Sequence, residues 1–279
     1  MIIRPKYTQV LAVSLLVLAT LATLAILVFI IVFVLGKGLP NINAEFLFSN
    51  PEDMGRAGGI FPTIVGTVAL TLTAICIATP FGVGTAVFLT EYTRESRITR
   101  IIRFGADCLA GIPSIIFGLF GFIFFVTYLR MGWSILSGSL TLAFMILPTI
   151  IRTSEEAIKS VPYSYREVSF SLGATLWQTV YKVVLPNALP GILTGVMLSV
   201  GRSIGETAAI IFTAGSSLRT PHSLFDSVRT MSVHFYILAR EGLSNEKAYA
   251  TATVLIVSIL MINLSSYWLM NRFILRKTK

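Results

Sequence analysis

Residues Leu189–Phe212 read LPGILTGVMLSVGRSIGETAAIIF. The run is long enough to cross the hydrocarbon of a bilayer, which takes about 20 mostly apolar residues. It nevertheless carries Arg202 and Glu206 where the neighbouring residues ask for hydrocarbon. An arginine near mid-bilayer costs roughly 2.5–3.5 kcal/mol on insertion scales, so it is kept beside a partner or a water-filled path. On a continuous helix Arg202 and Glu206 share a face, being four residues apart. Ser199, Ser203 and Thr207 extend that face into a polar stripe, with Gly201 and Gly205 removing bulk beside it. Two roles fit these residues. One is an internal ion pair that orients the span against its neighbours. The other is positive potential lent by Arg202 to the path of an anion, since a guanidinium fork matches a tetrahedral oxyanion such as phosphate. In the second role Glu206 holds Arg202 while the path is empty and is displaced when the anion arrives.

The rest of the chain places this span in an all-α integral membrane protein of six transmembrane helices. Of 279 residues, 54% are hydrophobic and only 13% charged, too little charge to cover a soluble globule. Besides 189–212, the stretches 8–35, 62–89, 107–129, 133–151 and 248–270 qualify as spans. The third and fourth are separated by little more than Arg130, Met131 and Gly132 and form a hairpin. The first is too long for the apolar core of a signal peptide and lacks a small-residue cleavage site, so it is read as part of the mature chain. Without a repeat or a soluble segment, 1–279 reads as one domain, with a core over about 62–271 preceded by the span 8–35.

Charge placement orients the spans. With the amino terminus inside, fourteen of the 22 basic residues fall in inner segments and seven in outer ones, the remaining one being Arg202. This bias puts both termini in the cytoplasm. It also explains the net charge of +9 without a nucleic-acid partner. The outer segment 36–61 is rich in Gly, Pro and Asn and reads as an irregular loop. In the outer segment 215–247, LFDSVRTMSVHFYILA has helical apolar spacing and predicts a short helix near the membrane surface. His222 and His234 have no carboxylate or cysteine at ligand spacing, so no metal site is read there, and Cys76 and Cys108 read as small buried side chains. Within AGIPSIIFGLFG, residues 110–121, Pro113 interrupts the start of the third span, and Gly111, Gly118 and Gly121 permit close helix packing or the wall of a pathway.

Between the fourth and fifth spans lies EEAIKSVPYSYREVSFSLGATLWQTVYKVVLPNALPG, residues 155–191, too polar for lipid and too regular for a linker. Pro162 opens a short helix that stops at Gly173, and a second, with Leu176, Val180 and Val183/Val184 on one face, ends before Pro186. Such a projection is either an amphipathic connector on the bilayer or a knob for a partner.

The order Glu167-Val168-Ser169, three residues, Gly173-Ala174, and then Val183-Val184-Leu185-Pro186 resembles the EAA loop of ABC-importer permeases, with Val168, Ser169 and Val183 departing from that pattern. The resemblance implies a cytoplasmic coupling helix that docks on a separate ATPase through Glu167, Gly173, Ala174, Leu185 and Pro186. The chain itself has no GxxxxGK[ST] loop, so no cofactor is expected on it and ATP is expected on a partner.

GRSIGETAAIIFTAG, together with GLPNINAEFLFSNP, GGIFPTIVGT, AGIPSIIFGLFG, SVHFY and NLSSYWLMNRF, is similar to PstA-type permease subunits of phosphate ABC importers. That likeness implies a prokaryotic inner-membrane permease without catalytic residues of its own. Its implied partners are a PstC-type permease in a heterodimer, two PstB-type ATPases and a PstS-type phosphate-binding protein. Its implied substrate pathway includes Arg202, Ser203, Glu206 and Thr207. A secondary anion transporter using Arg202 and Glu206 as a proton relay is the alternative. An intramembrane hydrolase using Ser203 lacks a GxSxG elbow and an evident base.

Overall fold

A computed structural model describes residues 5–94 and 96–277. Arg4 and Lys279, used above to orient the termini, lie outside the described residues, as do the side chains of Lys6, Arg272, Arg276 and Lys277 and the end of NLSSYWLMNRF. The chain begins with α1 (Pro5–Gly38), α2 (Ala44–Phe48) and a two-residue antiparallel hairpin of β1 (Pro51–Glu52) and β2 (Ala57–Gly58). Next come α3 (Phe61–Val87), which runs on through a π-helical turn to Tyr92, and α4 (Arg97–Ala110). After them, α5 (Ser114–Gly121) continues as a π-helical stretch to Tyr128, and α6 (Ile135–Lys159) follows the hairpin turn. The segment up to the fifth span holds α7 (Tyr163–Ser171) and α8 (Leu176–Thr179), the latter joined by a π turn to α9 (Leu185–Gly205). Last come α10 (Ala208–Thr213), α11 (Met231–Arg240) and α12 (Asn245–Lys277).

Among the described residues five helices are long and apolar enough to cross a membrane, and α4 with α5 makes a sixth crossing if that bent pair counts as one. The third span expected at 107–129 is therefore not one helix. Pro113 lacks an amide hydrogen and disfavours helical geometry in the residue before it, so the chain turns by 100° at Gly111–Pro113. On the near side of the bend α4 is amphipathic and starts on a reciprocal cap, with Ser96 and Thr99 each accepting the other's backbone N–H.

The core lies where α3 meets α6. Leu70, Ala74 and Ala78 pack with Leu142, Met145, Ile146 and Ile150, and Phe117 of α5 and Ile210 of α10 close the group. Lipid tails are as apolar as these side chains, so fit and small residues hold the helices together. A Cβ on Gly118 would come to 2.8 Å from the Ala209 Cα and 2.9 Å from the Ala208 carbonyl oxygen. A polar tie adds to the fit, Ser139 donating to the Leu70 carbonyl at 3.0 Å.

Three further expectations change. The outer segment 36–61 is not irregular: Asn43 caps α2, Phe46 and Ile60 are buried against Ala250, and Lys247 donates to the Gly58 carbonyl. In the other outer segment the helix starts only at Met231. Before it, residues 223–226 form a turn against the start of α6, closed by the Asp226 N–H on the Ser223 carbonyl, with the Asp226 and Leu224 carbonyls accepting from Ile135 and Leu136. The helix α11 buries one face, Met231, Ser232, Val233, His234 and Leu238, and leaves Phe235, Tyr236, Ala239 and Arg240 exposed. Cys76 and Cys108 are exposed on this chain, because an apolar span meets lipid or a partner on its outer faces. The long helix α1 is tied to α12 near its end, Thr253 donating to the Val34 carbonyl, and is otherwise exposed over its length.

Candidate functional site

The fifth span breaks where its charges lie. After Gly205 the backbone turns extended at Glu206, with φ −71° and ψ 131°, and helix resumes at Ala208. Ser232 of α11 donates to the Glu206 carbonyl at 2.6 Å, and the Glu206 carboxylate accepts from the Ala209 N–H at 3.2 Å. Glu206 thus satisfies a free amide at the start of α10. Arg202 sits in the last turn of α9, where a cation is favoured by the helix dipole.

The expected Arg202–Glu206 pair does not form, because the i, i+4 relation requires a helix that continues past Gly205. Among the described residues no hydrogen bond or ion pair engages Arg202. The polar stripe also divides. Gly195, Ser199 and Ser203 face inward with Ile192, whereas Leu198, Arg202 and Gly205 lie on the open face. Ser199 donates to the Gly195 carbonyl, while the buried Ser203 hydroxyl has no hydrogen-bond partner among the described residues. Thr207 is half-buried in the break itself.

At the opposite end of the spans, α7 forms the expected first short helix and ends on Gly173, whose φ is +80°. Nothing within 4 Å would meet a Cβ there, so the glycine serves backbone conformation and not packing inside this chain. Glu167 is exposed, as are Tyr163, Val168, Leu172, Trp177 and Tyr181, with Leu172 83% open. Ala174, Leu185 and Pro186 are half-buried. The second short helix does not stop before Pro186. The π turn Val180–Val184 gives the proline ring room over the preceding carbonyls, and one continuous helix runs over Leu176–Gly205.

The sequence reading missed a set of ion pairs near that knob. The Arg166 guanidinium grips both carboxylate oxygens of Glu91, its shortest contact 2.6 Å, and donates to the Val161 carbonyl at 2.8 Å and the Ile158 carbonyl at 3.2 Å. Glu155, 2% exposed, pairs with Arg103 at 2.8 Å and Lys159 at 2.6 Å, and Arg152 pairs with Asp107. Charge runs at 91–103 and 152–166 are visible in the sequence, but which carboxylate meets which cation is set by how α3, α4, α6 and α7 pack together.

In α11, beside the break, burial lowers the His234 pKa to about 4, and the neighbouring Arg229 cation pushes in the same direction. Arg229 itself is lowered by burial and donates to the Ser216 carbonyl. Asp226 is lowered by the N–H groups of His222 and Ser223, each 2.8 Å from its carboxylate.

Residues 78–279 match the family described as "Binding-protein-dependent transport system inner membrane component". The chain belongs to that family. The matched range takes in both the broken fifth span and the α7 knob, and as an inner membrane component of this family the chain is a multi-pass membrane protein. It is similar to the probable ABC transporter permease protein YqgI of Bacillus subtilis (strain 168), 32% identical over 253 residues, covering 85% of this chain and 86% of that one. It is equally similar to the phosphate transport system permease protein PstA of Pasteurella multocida (strain Pm70), 32% identical over 263 residues and 93% of each chain. Two solved structures share the fold. One is a bacterial alginate ABC transporter in complex with its alginate-bound periplasmic protein, with TM-score 0.71, 15% identity, and 95% of this chain and 96% of that one covered. The other is the inward-facing MetNI methionine ABC transporter, with TM-score 0.63, 19% identity, and 75% and 93% covered.

Proposed function

We propose that this chain is the phosphate-translocating permease subunit of an ATP-driven importer, working with a PstC-type permease, two PstB-type ATPases and a PstS-type binding protein, with both termini cytoplasmic. Its relatives include PstA proteins along nearly its whole length. The observation that carries the reading is Arg202, unpaired among the described residues and on an open face of a span that breaks four residues later. An arginine facing hydrocarbon is costly, so this face belongs against a second permease or a water-lined path. There a guanidinium free of any carboxylate attracts an oxyanion and offers it paired donors.

Ser203 and Thr207 flank the break, and Glu206 is committed to the α10 amide, which leaves Arg202 to the passing anion. At the inner end, the exposed side chains of α7 present Glu167 and an apolar rim to the groove of an ATPase. ATP is bound and hydrolysed on that partner, and closure of the ATPase pair is carried through α7 to the spans.

The test is uptake of radiolabelled phosphate into vesicles holding the assembled complex. Uptake is expected only with ATP inside the ATPase compartment and with the binding protein outside. Uptake driven by a proton gradient without the ATPase would replace this reading with a secondary transporter.

A further inference from the structure

The α7 helix is attached to the rest of the chain in an unusual way. Of its nine residues only Arg166 and Ser169 are buried. Its apolar residues point outward, Val168 61% and Tyr163 66% exposed. Ser169 shares a hydrogen bond of 2.8 Å with Thr179 of α8. Arg166 reaches two other elements at once: Glu91 in the π-helical end of α3, and the Ile158 and Val161 carbonyls at the end of α6. Both carbonyls lie at or just past the C-terminal end of α6, where a cation is favoured, although the Ile158 carbonyl also accepts from the Val161 N–H at 3.3 Å.

We propose that Arg166 and Glu91 form the joint through which motion of α7 reaches the second and fourth spans, making Arg166 a positioning residue for energy coupling. This rests on the proposed role of α7 as the ATPase-facing helix. Apolar contacts slide, whereas a buried, hydrogen-bonded ion pair holds one geometry and loses its worth when displaced. Since α7 has no buried apolar residue of its own, a push on its exposed face is delivered to α3 and α6 through this guanidinium. Lysine at 166 keeps the charge and loses the planar fork that serves three acceptors on two elements. Exchanging the two charges is not a repair, because a carboxylate at 166 would face the Ile158 and Val161 carbonyls.

Two measurements test the joint. In a chain with Cys76 and Cys108 replaced by alanine, spin labels at the exposed positions Leu172→Cys and Phe88→Cys report the distance between α7 and the end of α3. One narrow distance is expected in the parent, and a broadened distribution in Glu91→Gln and in Arg166→Lys. Distributions as narrow as the parent's would overturn the proposal. This readout needs no cargo, so it stands apart from the phosphate assignment. In the assembled complex, anion moved per ATP hydrolysed is expected to fall by about tenfold or more in Glu91→Gln, consistent with the large cost of stranding one member of a buried pair, while the complex still assembles and hydrolyses ATP. Transport and hydrolysis falling together, with their ratio unchanged, would reduce the pair to a stabilising contact. Glu91→Gln keeps the side-chain shape and decides the matter if Arg166→Ala fails to fold. Should the wild-type complex move a different anion, the phosphate reading fails and the ratio is measured with that anion.

Discussion

Arg202 closes the last turn of α9 and Glu206 begins the extended step into α10, and no ion pair joins them. The carboxylate accepts from the Ala209 amide while the guanidinium stays on the open face. The two charges therefore serve different purposes.

Their separation is measurable in a double-mutant cycle. Glu206→Gln keeps an acceptor for the α10 amide and is expected to be mild, whereas Glu206→Ala loses it and lowers stability by about 1 kcal/mol, the usual worth of such a cap. Combined with Arg202→Ala, the effects on thermal stability in detergent are expected to add within about 0.5 kcal/mol, as for independent sites. A coupling energy well above that would restore the ion pair.

Gly173 tests the knob. With φ at +80° and open space around it, the position resists side chains through its backbone alone. Gly173→Asn is expected to retain more coupled uptake than Gly173→Val, because asparagine tolerates the left-handed region and a β-branched residue does not. Both variants should reach the membrane in normal amounts, as immunoblots of membrane fractions would show. Equal uptake by the two would mean that the turn geometry is irrelevant to coupling.

Packing of α5 on α10 is tested by Gly118→Ala. The added methyl meets backbone atoms at 2.8 and 2.9 Å, which cannot rotate away. A loss of about 1–3 kcal/mol is expected for such overpacking, read as a lower unfolding temperature. An unchanged transition would show that the two helices separate freely.

The pH dependence of stability has a defined sign. His234 is held neutral by burial, with its pKa down at about 4 against 6.5 when exposed. The unfolded chain therefore takes up a proton on this side chain that the folded chain refuses between those two values. Stability is complete above about 6.5 and falls as the pH drops toward 4, by up to roughly 3 kcal/mol from this group. His234→Gln is expected to flatten that slope in thermal melts. A slope unchanged by the substitution would assign it to other groups.

Much of this architecture was legible in the sequence, and the missing parts share a cause. Apolar length marked five spans directly, and Pro113 flagged the interruption of the remaining one, yet composition holds no angle, so the 100° bend was not readable. Apolar length read 189–212 as one span because Gly205 and Glu206 do not end the run. At the break the Glu206 carbonyl accepts instead from the Ser232 hydroxyl, a contact between residues 26 apart that local sequence does not announce. Likewise the helix of the outer segment was real from Met231 onward, but its burial followed from contacts with α3, such as the Met231 N–H on the Thr67 hydroxyl. The exposed knob and Gly173 were local features and were found locally. Arg166 and Glu91, 75 residues apart, were not.

The central claim is that Arg202 serves the moving anion, and ATP-driven phosphate uptake by Arg202→Ala and Arg202→Lys complexes tests it most directly. Arg202→Ala is expected to lose at least about tenfold in uptake, as for removal of a charged donor that meets its ligand in transit, with Arg202→Lys keeping an intermediate rate and both complexes assembling normally. Near wild-type uptake in both would contradict the account.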